Sequence, residues 1–248
     1  MNRLSVLALA IYLSFASSQA FAVPLEESKK VAKVDAHSVV PQLAHWIVDN
    51  TTSIGGHVPT LVGAPKVKKT TLGKAVCFNG ESDGLFFDVN PIAGMGTLTV
   101  EVLFQPALGG AAEQRFVHLE ETSPASYRAM VETRLNSSDF YLDTFLKSPG
   151  GNKTLVNAKA THPLDTWYWA ALVYDGTTMR HYVNGVEDAS DTVAFSALGP
   201  GKSALGVRLN KVSWFKGCIR EVLFTPKALG ANELQKLPDP VKKRSKKR

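Results

Sequence analysis

The sequence predicts an all-β fold, an antiparallel sandwich or jelly roll, followed by one short C-terminal helix. Three observations carry this. Residues Thr97 to Gln105 alternate, with Leu98, Val100, Val102 and Phe104 on one face and Thr99, Glu101 and Gln105 on the other. Only Leu103 departs from that period of two, which marks a half-buried strand. Turn dipeptides separate further strand-like runs. Composition is ordinary for a globular protein, 44% hydrophobic and 20% charged in 248 residues, which excludes collagen, coiled coil and wholesale disorder. A sandwich of about 200 residues uses this length as one domain and buries a sizeable core without many disulfides.

The first 22 residues read as an address. Arg3 supplies a positive start, Leu4 to Ala16 is an apolar run of 13 residues, and Ala20-Phe21-Ala22 is an A-x-A cleavage site. This is the pattern of a secretory signal peptide, and the run is shorter than the roughly 20 residues a transmembrane helix needs. The expectation is a secreted, periplasmic or extracellular protein with no transmembrane segment. Residues 23–41 form a linker or lead-in, bracketed by Pro24 and Pro41 and carrying Lys29, Lys30 and Lys33. The jelly roll is expected over 42–238, and 239–248 is expected to be a disordered basic tail.

Within the domain, Trp167 to Asp175 and Met179 to Val183 are a strand pair joined at Asp175-Gly176, and Asn184-Gly185 suits the positive φ angles of a tight hairpin. Trp214 to Thr225 is a long strand. Ala228 to Leu237, stopped by Pro238, is the one convincing helical stretch.

The net charge of +6 is unevenly placed. Setting aside Arg3 and the six cations between Lys242 and Arg248 leaves a body of −1. The charge therefore describes a tail that attracts anionic surfaces without specificity. No motif in the body supports specific nucleic-acid recognition. Cys77 and Cys218 lie 141 residues apart. An even pair in an exported chain invites a disulfide, two buried free thiols being the alternative.

Five segments in order resemble one family. Leu43 to Asp49 (LAHWIVD) is similar to the opening strand of laminin-G-like jelly rolls of the concanavalin A-like lectin/glucanase superfamily. Gly73 to Gly80 resembles that family's GKALxFDG strand, Leu98 to Pro106 its TVSxWVKP strand, and Trp167 to Gly185 its WHHVAxVYDGxxxxxYVNG hairpin. Phe215 to Leu229 resembles the closing FxGxIDEVxIYxxAL segment. The resemblance implies a jelly roll with the strands of Cys77 and Cys218 as neighbours, which brings the two within bridging distance. It implies sugar binding for some members, calcium binding for many, catalysis for a few and protein contacts for others, and fold alone does not choose among these.

Residue chemistry narrows the choice. Glucanases on this fold place carboxylates in an E-x-D-x-x-E or E-x-D-x-E pattern, and Glu132, Asp139 and Asp143 are not so spaced. A lyase acting on an acidic (uronate) polysaccharide needs a cation to neutralise the uronate carboxyl and a Tyr or His to take the C5 proton. Arg134 with Tyr141 or His118 would supply these, although the other motifs of such lyases are missing. For calcium, Asp49 and Asp83 are weak candidates. Arg220 stands where the family usually has an Asp ligand and suggests a guanidinium pairing with Asp49 instead. For lectin-type binding, Trp214 and Tyr141 are the aromatic candidates, with Arg128 and Arg134 as polar partners. Trp46, Trp167 and Trp169 read as packing residues. Gly80-Glu81-Ser82-Asp83-Gly84 matches a nucleophile elbow by letter only, because strand rather than helix follows it. The favoured expectation is an exported, non-catalytic module that binds a polysaccharide or cell-surface glycan and needs no cofactor. The alternatives are the lyase and a structural or protein-interaction domain.

Overall fold

The computed structural model describes residues 43–237. The leader, the lead-in and the basic tail fall outside the described residues. Sheet I holds β1 (Ala44–Ile47), β3 (Lys66–Thr70), β4 (Gly73–Asn79), β6 (Leu98–Pro106), β12 (Tyr168–Tyr174), β13 (Thr178–Val183), β14 (Val186–Thr192) and β16 (Lys216–Thr225). Sheet II holds β2 (Thr60–Val62), β5 (Gly84–Phe87), β7 (Glu113–Glu121), β8 (Arg128–Asn136), β9 (Asp139–Ser148), β10 (Gly151–Val156), β11 (His162–Pro163) and β15 (Gly201–Leu205). The first sheet runs β14-β13-β12-β6-β16-β4-β3 and the second β10-β9-β8-β7-β15-β5-β2. All pairings are antiparallel, and the architecture is a jelly-roll sandwich.

Local chemistry explains the hairpins. Asn184 and Gly185 adopt φ of 49° and 77° between β13 and β14, the geometry whose twist matches flanking strands. At the β12–β13 turn, the Asp175 carboxylate accepts the N–H groups of Thr177 and Thr178. Strand β16 organises sheet I. One edge pairs with β6; the other takes β4 along its first half and β1 along its second. Val48 N–H donates to the Arg220 carbonyl at 2.7 Å and Val76 N–H to the Val48 carbonyl at 3.0 Å, so β1 and β4 run end to end. Cys77 and Cys218 face each other in the β4–β16 register and form a disulfide.

The core lies between the sheets. Phe104 stacks on Phe116 at 4.4 Å between ring centroids, with Phe140, Tyr168 and Phe215 around it. Trp46 packs on Phe87 and Phe224 at 4.7 and 5.1 Å. The polar His181 is also enclosed here, its Nδ1 3.0 Å from the Thr144 hydroxyl and its Nε2 unpartnered.

Three expectations need correction. Strand β6 is buried on both faces rather than half-buried: Thr99 and Glu101 are 0% and 2% exposed. The cover over Thr99 and Glu101 is the segment after β16. Thr99 Oγ1 donates to the Lys227 carbonyl and accepts from Leu229 N–H, while the Glu101 carboxylate accepts Gln235 N–H at 2.7 Å. Leu103, the residue that breaks the alternation, packs on that same outer face with Ala75, Trp167 and Trp169. The expected helix over Ala228 to Leu237 is the second correction, because only residues 231–234 turn. Ten residues are marginal for an isolated helix, and here the side chains of β6 take the backbone groups a helix would have used. Third, Arg220 does not pair with Asp49. It sits at a register shift in β16, donates to the Lys74 carbonyl at 2.8 Å and pairs with Glu221.

Candidate functional site

The outer face of sheet II carries the densest polar chemistry among the described residues. Alternation along β7, β8 and β9 sends Val117, Leu119, Ala129, Val131, Leu142 and Leu146 into the core and turns the intervening residues outward. The β8–β9 register sets Arg128 opposite Lys147, Glu132 opposite Asp143, and Arg134 opposite Tyr141. The β7–β8 register places His118 beside Met130 and Glu120 beside Arg128. The 206–215 loop brings Arg208, Leu209 and Asn210 to the same face.

Charges here are paired tightly enough to lie buried. Arg115 Nε is 2.9 Å from Glu132 Oε2, and Arg134 Nε is 2.6 Å from Asp143 Oδ2. Glu113 bridges both guanidiniums from the rim. His118 accepts Leu209 N–H on Nδ1 at 2.9 Å, which leaves Nε2 as the protonated nitrogen, 3.1 Å from Glu120. Burial pushes the His118 pKa below the usual histidine value. Burial, reinforced by Asp143, pushes the Glu132 carboxyl up to about 7.

That shift has a testable sign, opposite to the one at His181. The folded value of Glu132 lies above the unfolded 4.5. Its favourable contribution is therefore complete below pH 4.5 and lost as pH rises through 7. Burial pushes His181 down to about 4, so its contribution is complete above the ordinary histidine pKa and lost as pH falls through 4. Glu132→Gln is expected to be near neutral at pH 4.5 and to stabilise by on the order of 1–2 kcal/mol at pH 8. His181→Gln should flatten the acid limb instead. Melting midpoints across pH 4–8 check both; parallel curves for Glu132→Gln and its parent would contradict the first.

Three adjoining clefts cross this face. One of about 130 Å³ lies among Arg115, Arg128, Glu132, Arg134, Asp143 and Arg208. It meets a second of about 250 Å³ at Arg208. The second meets a third of about 700 Å³ at Glu120 and Leu209. The third is lined by Thr60, Phe86, Asp88, Thr122, Pro124 and Lys202 among others. Together they make a trough with a cationic end and a wider end whose one half-buried aromatic ring is Phe86.

The candidate residues of the sequence fall at different distances from this trough. Arg128, Arg134 and His118 line it. Tyr141 sits beside Arg134 at the margin and lines none of the three clefts. His118 lies opposite Met130, four residues along β8 from Arg134, so it does not converge with that pair. Trp214 is half-buried in the 206–215 loop, also outside the clefts. Trp46, Trp167 and Trp169 are buried. Sequence reasoning missed Phe86, Arg115 and Arg208 as site residues. Leu85 and Phe87 point inward, so strand alternation alone would have turned Phe86 out.

Calcium needs six to eight oxygen ligands. Asp83 accepts Ala64 N–H on one oxygen and Asn79 N–H on the other. Asp49 accepts from the Asn50 side chain. Among the described residues no three His, Cys, Asp or Glu side chains gather as a metal site.

A laminin-G-type family model, described as the concanavalin A-like lectin/glucanases superfamily, matches residues 79–235. The chain belongs to this superfamily. Among solved structures similar to this superfamily member is domain 4 of AbnA, a GH43 extracellular arabinanase from Geobacillus stearothermophilus, in complex with arabinotriose. It is 20% identical, with 77% of this chain and 94% of that one covered at a TM-score of 0.53. The binding domain of Paraclostridial Mosquitocidal Protein 1 is 11% identical, covering 77% and 50% at 0.57. A Trypanosoma rangeli sialidase mutant displaying trans-sialidase activity is 12% identical, covering 78% and 32% at 0.57. The chain thus spans about half of the toxin binding domain and about a third of the sialidase. At these identities the likeness is one of fold. No curated protein matches the chain by sequence. No helix among the described residues is long and apolar enough to cross a membrane.

Proposed function

We propose that the chain is an exported, non-catalytic carbohydrate-binding module whose sugar site is the trough on the outer face of sheet II. The trough itself carries this reading: an elongated polar channel with an outward aromatic ring and pre-formed, buried charges, as small-ligand sites require. The likeness to arabinanase domain 4, which this chain spans almost completely and which was solved with arabinotriose, supports it. The leader-like residues 1–22 and the disulfide support a place outside the cytoplasm.

Affinity electrophoresis in gels of neutral and uronic-acid polysaccharides tests the reading, using the chain with and without residues 241–248. Retardation is expected to survive loss of those residues for at least one sugar. Phe86→Ala should weaken it on the order of tenfold, the equivalent of about 1.4 kcal/mol. Retardation that disappears with the basic run would leave only polyanion attraction and overturn the proposal.

The lyase reading draws on one observation, the adjacency of Arg134 and Tyr141. Against it, the Arg134 guanidinium already faces Asp143 and Glu113, so a uronate carboxyl would meet two negative groups there. Absorbance of an unsaturated product on uronate polysaccharides decides the matter, and none is expected.

A further inference from the structure

We infer that the narrow end of the trough recognises the anionic group of an acidic glycan, a carboxylate or sulfate ester, held between Arg128 and Arg208. This rests on the trough being a sugar site and specifies the class of sugar.

Of the other cations of this face, Lys147 donates to the Ala125 carbonyl and the rest have anionic partners. Arg115 is taken by Glu132 and Glu113, Arg134 by Asp143 and Glu113, and His118 lies against Glu120. Among the described residues Arg128 and Arg208 enter no ion pair, and the Nε of each is buried without a hydrogen-bond partner. Both line the cleft of about 130 Å³, room for about four waters at about 30 Å³ each. That volume fits a charged substituent rather than a pyranose chain. The rings would continue into the wider clefts, which open past Arg208 and Leu209.

Arg128 is preset for this work. One Nη donates to the Ser126 carbonyl at 2.8 Å, and the guanidinium lies 4.7 Å from the centre of the Phe145 ring. These contacts fix the plane of the fork while leaving donors free, and planar guanidiniums match carboxylate and sulfate oxygens in pairs. Burial and the neighbouring Arg208 charge press the Arg128 pKa down, outweighing the pull of Glu120 and Glu132.

Nearby carboxylates are turned to other partners, Asp143 through the one oxygen that meets Arg134. Glu120 accepts the Ser126 hydroxyl at 2.9 Å and sits 3.1 Å from His118. Glu132 turns to Arg115. Two guanidiniums without an ion-pair partner among the described residues, at the lining of one cleft, favour an anionic oxygen there. A neutral sugar hydroxyl serves less well, because charge-assisted bonds are about twice as strong.

Isothermal titration of the full chain tests the assignment with three probes: tetragalacturonate for carboxylate, a carrageenan hexasaccharide for sulfate, and cellohexaose as a neutral control. Arg128→Gln and Arg208→Gln are made in the full chain, so the basic run at 242–248 is the same throughout. Each variant is expected to lose at least tenfold in affinity for one acidic probe and to lose clearly less, threefold or under, for cellohexaose. Whichever acidic probe responds identifies the group. Arg208→Gln lies in a loop and keeps the test valid if Arg128→Gln melts early. Parent-like binding of both acidic probes by both variants overturns the inference, as does binding of cellohexaose alone, which leaves the sugar-site reading intact. Binding of no probe overturns the inference, and with loss of every tail-independent retardation the sugar-site reading falls too.

Discussion

Replacing Cys77 and Cys218 together by alanine is expected to lower stability by up to about 5 kcal/mol, from the entropy of a closed loop of this length. The bridge spans 141 residues, from β4 to its neighbour β16, so its removal frees nearly the whole unfolded domain. With a urea m-value of about 2–3 kcal/mol/M, the unfolding midpoint should fall by roughly 2 M. The same shift should follow reduction of the parent with dithiothreitol and be absent in the double variant. A change below about 1 kcal/mol would mean that the unfolded chain is already constrained without the bond.

Trp46→Ala should cost about 3–5 kcal/mol, the range for emptying a large aromatic site in a packed core. Trp46 is 1% exposed and meets Phe87, Phe224 and His57. It also holds β1 against the second half of β16. For a domain of this size the melting midpoint should drop by on the order of 10 °C. Trp214→Ala, half-buried in a loop, should cost about 1 kcal/mol or less. Equal losses at the two positions would show that the partition of these tryptophans between core and surface is wrong.

Strands were legible wherever local chemistry speaks for itself. The alternation of Thr97 to Gln105 and the Asn184-Gly185 turn each correspond to an element of sheet I. The disulfide needed cysteine count and family resemblance together. The 228–237 segment misled because its apolar spacing is helical, while the partners that capture its backbone, Thr99 and Glu101, lie about 130 residues earlier.

Legibility was poorest at the trough. Phe86, Arg115 and Arg208 share one trough across β5, β15 and β7 because β15 inserts between the other two, and no local pattern announces an insertion. Glu132 and Asp143 were nearer to reach. A tight hairpin at Ser137-Ser138 sets them opposite each other, but a search for carboxylates along one strand does not look across two.

The central place of β16 also governs when the protein is able to exist. Three strands made earlier, β1, β4 and β6, all take their hydrogen bonds from a segment that ends at Thr225. A ribosome makes all the other strands of sheet I before it makes β16. Until then β4 and β6 hold open edges, which invite pairing with other chains, and Cys77 waits as a thiol. Sheet I therefore closes late, in the manner of slow, non-local β topologies. Any product cut short before Lys216 would leave those edges open for good, a substrate for chaperones and proteases.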